Sequence, residues 1–560
     1  MRIRPKQILL VLIILVALIL RVWRLDLVPI SLFGDELDVG YHAYSILKTG
    51  RDYSGNFLPL HFKSLAEWRT PLYIYSSIPT VALFGINAWG VRLPAAIFGV
   101  LGVLAFYLLV KELTKNESLG LLSALLLTIS PWHLHYSRAG FEVTEMLFLY
   151  ILGLYFLLLS LRGKNTLWLA AILLALTPWA YNTAKLFLPL TILAIFIIWR
   201  NKFKAIAKQR LILALIIFSV FTIPFTLNTL FGGGTQRIQS ISIFNDPTVI
   251  PQMGFDRLND AKMRHDDFYS VNIVDKLFHN QIISFIEIFS KNYLQSFSTS
   301  FLFINGDVLN LRQSSGSEFY KIDSIFLLLG LFFLIVIQLD KRVKAFLMFW
   351  LIASPIPSSL TKGGGDHATR LILMLPVLII LIALGMYYSY IKISKKYKTP
   401  SIILVSISLL LSFIYYQHNY WIHYPWESER WWHAGFEDSI KFAVKESSTY
   451  EKVILSSANE PALIFFLGWS MYPPEVFQKE YKESKSTLNL GKFEFPSVGQ
   501  GLNLYEMGSK LQKKVLYMAT AKEVVVDLNK EPERLPKDIS LVKTINYPSG
   551  EPAFYFFTKP

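Results

Sequence analysis

The sequence contains no cysteine, which excludes disulfide bonds and metal sites built on thiolates. Charged side chains are also scarce: they make up 17% of the 560 residues, against roughly 25% in soluble globular proteins. Hydrophobic residues reach 53%, and the mean hydropathy is +0.41. This composition excludes an ordinary soluble domain and predicts an α-helical polytopic membrane protein. The chain shows no internal repeat and no low-complexity stretch.

The positive net charge of +15 is concentrated in short loops between apolar runs, most clearly at 200–210, 340–344 and 392–398. Loops on the cytoplasmic side of a membrane carry this bias. The charge therefore predicts topology and implies no nucleic-acid partner. The first apolar run lacks a small-residue cleavage site, and Arg21 and Arg24 follow it directly, so we interpret it as a span and not as a signal peptide.

Twelve apolar runs are candidate spans: 7–23, 71–86, 91–110, 118–134, 143–161, 166–182, 185–199, 211–229, 322–339, 345–360, 369–391 and 401–416. The short run 71–86 carries Pro71 and Pro79. If it crossed the membrane, Lys111, Lys115 and every later basic loop would fall outside. If it does not cross, all of these loops fall inside, as expected. The sequence therefore predicts about eleven spans in the plasma membrane, with 71–86 as an interfacial or re-entrant helix.

This topology places the N-terminus in the cytoplasm and the C-terminus outside. It divides the chain into a membrane domain, 1–416, and an extracytoplasmic C-terminal domain, 417–560. The membrane domain has two large outer loops, 24–90 and 230–321. The C-terminal part begins with an aromatic cluster, which suits a membrane interface. Short β-like runs and a helical pattern follow, so we expect a small α/β domain there.

Asp35 and Glu36 lie just beyond the first span, on the predicted outer side and close to the lipid headgroups. Adjacent carboxylates are costly at such a boundary unless they are paired or used. We interpret them as candidates for chemistry. The alternative is an ordinary solvated loop that contains three acids.

Other polar residues gather near the outer ends of the predicted spans. They are Asp38, Tyr41, His42, Glu67, Arg69, His133, His135, Arg138, Glu142, Glu145, Lys185, His367 and Arg370. Ionisable groups cost roughly 2.5–3.5 kcal/mol at the bilayer centre and less near its surface. Their presence on one side predicts a shared polar cavity. Structural alternatives stay open, because arginines snorkel and acids favour a helix N-terminus. The three glycines at 363–365 weakly resemble a phosphate-binding loop. Because no strand precedes them and no Walker lysine follows, we interpret them as a flexible loop and not as a nucleotide site.

Acids and cations at a lipid interface suit the transfer of a group from a lipid-linked phosphate. A carboxylate can take the proton of an acceptor hydroxyl. Arginine and lysine can hold the phosphate as it leaves, and arginine can do so with two hydrogen bonds. The lipid tail would lie between spans or beneath the 71–86 helix.

Several short segments follow one another along the chain in a specific order: Phe33–Glu36, Tyr41–Tyr44, Arg69–Tyr73, Phe84–Gly85, Arg92–Pro94, Ser130–Trp132 and Ser137–Arg138. His367–Arg370 is a weaker match to the same pattern. In this order and spacing they resemble the polyprenyl-phosphate-dependent glycosyltransferases with the C-type membrane fold. Within that class the chain is most similar to the protein O-mannosyltransferase and lipid A aminoarabinose transferase group. The resemblance covers about 1–200, and the later spans agree by topology.

The resemblance implies that Asp35 is the catalytic base and that Arg69 lies near the lipid phosphate. The aminoarabinose enzymes have Lys-Pro-Pro where this chain has Arg-Thr-Pro. A second acid is expected after the Ser-Arg pair, with Glu142 the nearer match and Glu145 the alternative. Some members of the fold bind a divalent metal ion through such acids, so a metal ion stays an open alternative and no cofactor is assigned. The resemblance also implies interfacial helices after the acidic pair, in agreement with 71–86.

The sequence thus predicts an inverting hexosyl- or pentosyltransferase that moves a sugar from a polyprenyl-phosphate donor to a hydroxyl on the extracytoplasmic face. The acceptor is a protein, a lipid or a glycan, and membrane lipid is a further partner. Asp35 and Glu36 are the candidate catalytic residues. The candidate substrate-binding residues are Arg69, Arg138, Arg370, His367, Lys185 and Tyr41. Two alternatives are a lipid-linked sugar flippase, which should show midplane charges and repeats, and a non-catalytic membrane scaffold.

Overall fold

The computed structural model describes residues 4–65, 67–232, 234–265, 270–307, 310–312, 314–458, 460–483 and 488–560. Helices dominate the first part of the chain. They are α1 (Pro5–Val22), α2 (Gly34–Thr49), α3 (Leu72–Phe84), α4 (Ala88–Thr114), α5 (Glu117–Ile129), α6 (Pro131–Tyr136), α7 (Val143–Ser160), α8 (Leu167–Ala180), α9 (Ala184–Ile198), α10 (Arg200–Phe203) and α11 (Lys208–Phe231). Two short strands, β1 (Phe62–Lys63) and β2 (Trp68–Arg69), pair antiparallel between α2 and α3.

The second outer loop and the later membrane region are also helical. Their helices are α12 (Thr235–Ile241), α13 (Val249–Met263), α14 (Ile273–Phe278), α15 (Gln281–Gln295), α16 (Lys321–Val336), α17 (Lys341–Ala353), α18 (Ile356–Ser359), α19 (Leu375–Lys392) and α20 (Lys395–His418). Short 3-10 helices lie at Ile243–Asn245, Ile372–Met374 and Pro532–Arg534, and π-helical turns lie at Ser300–Ile304 and Asn419–His423.

Each of the eleven predicted spans overlaps a helix: α1, α4, α5, α7, α8, α9, α11, α16, α17, α19 or α20. The run 118–134 also reaches into α6, and the run 345–360 also includes α18. In the described chain, six helical segments are long and apolar enough to cross a membrane: Pro5–Val22, Ala88–Thr114, Val143–Ser160, Lys208–Phe231, Ile372–Lys392 and Lys395–Glu427. Four shorter helices are also apolar: α3, α5, α8 and α9. The mostly helical architecture with several apolar helices is confirmed. The number of spans stays a prediction.

Helix α3 is short for a membrane span. Its 13 residues extend about 20 Å, whereas the apolar core of a bilayer is about 30 Å thick. It packs beside α2 and α4, and the Tyr73 hydroxyl donates to the Val91 carbonyl at 2.7 Å. This geometry favours the interfacial interpretation of 71–86.

Within the membrane region, α16 and α19 pack closely against each other. At Gly330 and Gly385 a Cβ atom would collide with backbone carbonyl oxygens of the facing helix, so only glycine permits this approach. Most of α19 is buried, whereas α1 and α20 expose many apolar side chains. Those exposed surfaces suit contact with lipid.

The C-terminal part combines helices with a six-stranded sheet. Its helices are α21 (Tyr424–Glu427), α22 (Phe436–Glu446), α23 (Ala462–Trp469), α24 (Pro474–Glu483), α25 (Leu504–Lys510) and α26 (Ala521–Val524). Its strands are β3 (Lys452–Leu455), β4 (Leu488–Leu490), β5 (Phe493–Phe495), β6 (Val515–Thr520), β7 (Ser540–Asn546) and β8 (Pro552–Thr558). The strand order is β4-β5-β3-β6-β8-β7, with β3 parallel to both of its neighbours.

This sheet shares a hydrophobic core with the first outer loop. Leu37 of α2 contacts α23 at Gly468, where an added Cβ atom would meet the leucine side chain at 2.8 Å. Phe465 and Phe466 of α23 belong to the same buried cluster as Leu37 and Tyr73. The C-terminal part therefore holds the helix that begins at the Asp35–Glu36 pair.

Candidate active site

Asp35 and Glu36 lie in the first turn of α2, where the helix dipole favours negative charge. Their side chains point into different environments. Glu36 is fully buried, and its two carboxylate oxygens accept hydrogen bonds from Arg92 at 2.7 and 2.9 Å. The backbone N–H of Gly140 also donates to Glu36, at 2.7 Å. Asp35 keeps 52% of its side chain exposed and faces a recess.

Arg69 connects β2 to α2 through two ion pairs. Its Nη2 lies 2.7 Å from Asp35 Oδ1, and its Nε donates to Asp38 Oδ2 at 2.6 Å. Asp38 is buried and also accepts a hydrogen bond from the Tyr53 hydroxyl at 2.9 Å. Burial raises the pKa of Asp38 to about 6, although Arg69 opposes the rise. Asp38 therefore stays ionised at neutral pH and fixes the orientation of the Arg69 guanidinium.

The ionisation of Asp35 is controlled by the arginines around it. Partial burial of the carboxylate opposes its ionisation, but the charges of Arg69, Arg312 and Arg237 outweigh this effect and hold the pKa of Asp35 below its usual range. A carboxylate in this state is ready to accept a proton at any physiological pH. Arg312 itself lies over the ring of Phe33, at 5.0 Å from its centroid.

The recess in front of Asp35 is a polar cavity of about 60 Å³. It is lined by Asp35, Arg69, Gly140, Phe141, Glu142, Tyr181, Arg237, His367, Thr369 and Arg370. The structure thus brings together Asp35, Arg69, Glu142, His367 and Arg370 from four distant parts of the sequence. Burial lowers the pKa of His367 and raises that of Glu142. The Nδ1 atom of His367 is buried and has no hydrogen-bond partner within the described chain.

A larger and mainly apolar cavity, of about 370 Å³, adjoins the recess. Tyr181, Arg237 and Arg370 line both cavities. The apolar part of its wall comes mostly from α12, the following 3-10 helix and α18, and includes Ile238, Ile241, Phe244, Pro357 and Leu360. An elongated ligand with an anionic end and an apolar body would fit across the two cavities.

Lys185 also lines the apolar cavity. Its Nζ lies 3.4 Å from Nε2 of His61 and 5.0 Å from the centroid of the Phe225 ring. Burial lowers the pKa of His61 to about 4, so this imidazole is neutral at neutral pH. His61 Nδ1 contacts Asn228 Oδ1 at 2.7 Å, which leaves Nε2 as an acceptor for the Lys185 ammonium. Lys185 thus lacks a carboxylate neighbour in these contacts.

Arg370 is the most informative cation of the site. It donates to Thr361 Oγ1 at 2.7 Å and to the Lys362 carbonyl at 3.0 Å, both of which are neutral acceptors. The charge of Asp307 acts on Arg370, but both of these hydrogen bonds go to neutral groups. A half-buried guanidinium whose hydrogen bonds leave its charge incompletely neutralised favours binding of an anion.

Four residues that the sequence suggested for catalysis or binding line neither the recess nor the apolar cavity. Glu36 is paired with Arg92, as described above. Tyr41 donates to the Tyr472 carbonyl at 3.0 Å, and Glu145 accepts from Ser76 at 2.6 Å. Arg138 donates to backbone carbonyls in the last turn of α1 and in the segment after it, those of Leu20, Arg21, Trp23, Arg24 and Val28. These contacts indicate structural roles.

Five lining residues were not singled out from the sequence: Gly140, Phe141, Tyr181, Arg237 and Thr369. Arg237 lies in the second outer loop, where nothing but its charge distinguished it. Tyr181 and Thr369 belong to no distinctive pattern. They become site residues because α8 ends, and the segment before the 3-10 helix Ile372–Met374 passes, beside the recess.

The carboxylates of Asp35 and Glu142 line the same recess, whereas Glu145 is held by Ser76. Within the described residues no group of three or more His, Asp or Glu side chains is arranged to hold a metal ion. A divalent ion would have to be completed by water and by the ligand's phosphate. Metal binding by Glu142, or by Glu145, stays a prediction.

Comparison with known proteins identifies the architecture. Residues 69–226 match the family model described as dolichyl-phosphate-mannose-protein mannosyltransferase. The fold is similar to that of ArnT from Cupriavidus metallidurans bound to undecaprenyl phosphate, with a TM-score of 0.53, 11% identity, and coverage of 98% of this chain and 97% of that chain. It is also similar to the Archaeoglobus fulgidus oligosaccharyltransferase tethered with an acceptor peptide, with a TM-score of 0.53, 12% identity, and coverage of 98% and 74%. No curated protein matches the sequence.

These matches confirm the resemblance to the C-type glycosyltransferases, and the chain has their fold. The family match and the fold together support a multi-pass membrane glycosyltransferase. The family match includes Arg69, Arg138, Glu142 and Lys185. It begins after Asp35, so the role of that residue rests on the geometry of the recess.

Proposed function

We propose that the protein transfers a sugar from a polyprenyl-phosphate donor to an acceptor hydroxyl on the extracytoplasmic face. The observation that carries this proposal is the junction of the two cavities. Arg370 and Arg237 stand where a small polar recess that contains Asp35 meets a larger apolar cavity. A polyprenyl phosphate has the matching order of groups: a sugar, an anionic phosphate and a long apolar chain.

The phosphate would bind chiefly to Arg370, with Lys185 nearby on the wall of the apolar cavity. Arg237 forms an ion pair with Glu67 through Nη1, so it would contribute its remaining N–H donors. The lipid chain would follow the apolar wall formed by α12 and α18. The sugar would then lie in the recess between the phosphate and Asp35. This arrangement assigns Arg69 a different role from that implied by the resemblance, because two carboxylates already occupy its guanidinium. Arg69 orients Asp35.

The chemical step follows from these positions. The carboxylate of Asp35 takes the proton from the acceptor hydroxyl, and the acceptor oxygen forms a bond to the anomeric carbon. The bond between that carbon and the phosphate oxygen breaks, and the electron pair leaves with the polyprenyl phosphate. Arg370 and Arg237 stabilise the negative charge that develops on the phosphate. Attack opposite the leaving group inverts the anomeric configuration.

In this scheme Asp35 accepts the proton of the acceptor hydroxyl, and the acceptor oxygen, not Asp35, attacks the anomeric carbon. Its low pKa makes it a weak base, so proton transfer must accompany bond formation at the anomeric carbon. The arrangement of charges gives no support to a flippase, because the ionisable groups of the recess lie at one end of α7 and α8 and not along a path through the membrane.

The experiment is turnover by the purified full-length chain in lipid nanodiscs, with undecaprenyl-phosphate-linked hexoses and pentoses that carry an isotopic label. We expect release of free undecaprenyl phosphate, and NMR of the product should show inverted anomeric configuration. Translocation of the labelled lipid across sealed vesicles without cleavage of its phosphate bond would instead identify a flippase. Retention of configuration would exclude direct attack by the acceptor.

A further inference from the structure

A third cavity, of about 480 Å³, lies in the C-terminal part of the chain, apart from the recess and the apolar cavity described above. It opens where β6 ends and β8 begins, beside the start of α22. Its polar wall is formed by Arg430, His433, Glu460, Lys522 and Tyr547. The rings of Phe436 and Phe554 contribute an apolar face. Its volume is in the range of small-molecule binding sites.

The wall of this cavity is connected to the backbone of the Asp35 segment by packed aromatic rings. Phe436 stacks on Phe465, with 3.9 Å between the ring centroids. Phe465 in turn lies against Gly34, where an added Cβ atom would be 3.8 Å from its ring. The residue after Gly34 is Asp35. The cavity and the acid are thus separated by one layer of side chains.

The segment between α21 and α22 makes the same connection from the other side. Trp432 packs edge-on against Phe33, with 5.2 Å between the centroids, and the Arg92 guanidinium lies over its ring. The neighbouring residues Arg430 and His433 face the cavity. The segment between α21 and α22 therefore contacts Phe33, two residues before Asp35, through Trp432, and it lines the cavity through Arg430 and His433.

Charge also links the two sites. His433 Nε2 lies 3.3 Å from Glu460 Oε1, and this hydrogen bond holds the pKa of Glu460 below its usual range. The charges of Arg312 and Asp35 act on the same carboxylate. Glu460 thus lines the cavity and is close enough to Arg312 and Asp35 for their charges to act on it.

We propose that this cavity binds one sugar unit of a saccharide acceptor, at a distance from the unit whose hydroxyl reaches Asp35. The inference rests on the proposed function, because it assigns the second substrate of that reaction. Side chains with paired donors and acceptors, such as Arg430, His433 and Glu460, match the hydroxyl groups of a sugar. The apolar faces of Phe436 and Phe554 match its C–H faces.

A peptide acceptor fits the cavity less well. Extended peptides commonly bind by adding a strand to a sheet edge. The edges of this sheet are β4 and β7, whereas the cavity lies at the ends of the inner strands β6 and β8. The compact shape and the polar groups at several angles favour a short, branched or ring-shaped ligand.

The test separates acceptor binding from donor chemistry. Full-length protein in nanodiscs receives the labelled undecaprenyl-phosphate sugars, with or without membranes from source cells that lack the protein. Two rates are measured: hydrolysis of the donor by water, and transfer of label to macromolecules. Lys522→Glu and Tyr547→Ala alter the cavity, and Lys537→Glu is a control with the same charge change at an exposed position outside the cavity wall.

We expect Lys522→Glu to reduce transfer by about tenfold or more, the effect of losing one charged hydrogen bond. Donor hydrolysis should stay within about twofold of the wild-type rate, since a group remote from the recess contributes little to the chemical step. The control should retain both rates, and the labelled product should resist proteinase K. Unchanged transfer in both cavity variants would overturn the proposal, and so would a product that the protease degrades. Absence of both hydrolysis and transfer in the wild type would instead refute the proposed function.

Discussion

Arg92 binds both carboxylate oxygens of Glu36, at 2.7 and 2.9 Å, and neither side chain is exposed to solvent. The same arginine donates to the carbonyls of Pro29 and Ser31, at 2.7 and 2.5 Å. Arg92 thereby ties α4 to the loop that leads into α2. This pair fixes the backbone from which Asp35 projects. Of the two adjacent acids, Asp35 and Glu36, only Asp35 then faces the recess.

The Glu36–Arg92 pair should therefore be a requirement for stability. Glu36→Gln leaves the buried Arg92 without a counter-charge, and we expect the free energy of unfolding to fall by about 3–5 kcal/mol. Thermal unfolding of the purified protein in detergent measures the change. Asp35→Asn is the matched control, because its half-exposed side chain should affect stability little. Equal unfolding temperatures for Glu36→Gln and wild type would show that the pair is dispensable.

The dependence of activity on pH should report the arginines around Asp35. Since the pKa of Asp35 is held below its usual range, its carboxylate stays ionised as the pH falls, and the loss of kcat/KM that belongs to Asp35 should occur below the usual range of aspartate. Protonation of Asp38, whose pKa is about 6, should come earlier and weaken its hold on Arg69. Arg69→Gln removes the first of the charges that stabilise the ionised form, so Asp35 should become protonated, and activity should be lost, at a higher pH. Arg69→Lys keeps the charge and should move the acidic limb less. An acidic limb at the same pH in both variants would mean that Arg69 does not control Asp35.

Arg370 should contribute to binding of the donor. Arg370→Ala removes a cation whose observed hydrogen bonds go to neutral groups, and we expect the KM for undecaprenyl-phosphate sugar to rise about tenfold or more. Lys362→Gln provides the control, since it removes a positive charge from the same loop and does not line either cavity. Steady-state kinetics with varied donor concentration distinguish the two variants. A KM that responds equally to both substitutions would indicate a general effect of charge.

The membrane topology can be tested by labelling, because the wild-type chain has no cysteine. Gly85 is unsuitable for a cysteine because its φ is +77°, but Leu83 is 77% exposed at the end of α3. If α3 does not cross the membrane, Leu83→Cys should react with a membrane-impermeant maleimide added to intact cells. Lys164→Cys, in a predicted cytoplasmic loop, should react only after permeabilisation. Protection of Leu83→Cys in intact cells would contradict eleven spans.

Much of this architecture could be predicted from the sequence because membrane spans are long, apolar and marked by charge. Every predicted span overlaps a helix, and the run 71–86 forms a helix too short for an easy crossing. The gathering of Asp35, Arg69, Glu142, His367 and Arg370 could also be anticipated, because all were assigned to one side of the membrane. Which of these residues pairs with which inside the recess could not be predicted.

The different roles of Asp35 and Glu36 depend on which way each side chain points at the start of α2. It also depends on Arg92, which lies 56 residues further along the chain. Arg138 looked similar to Arg370 in the sequence, yet it binds backbone carbonyls at the C-terminal end of α1 and beyond. Arg237 lies in a loop without a motif. Such roles are set by tertiary contacts that no local pattern records.

The most direct test of the account is the rate of sugar transfer by Asp35→Asn with an undecaprenyl-phosphate sugar donor. The amide has nearly the shape of the carboxylate and cannot accept the proton. We expect transfer to fall by about 10²- to 10⁴-fold, the usual contribution of a general base, while binding of the donor and the unfolding temperature stay close to wild type. Transfer at the wild-type rate by a correctly folded Asp35→Asn protein would contradict the assignment of Asp35 as the base.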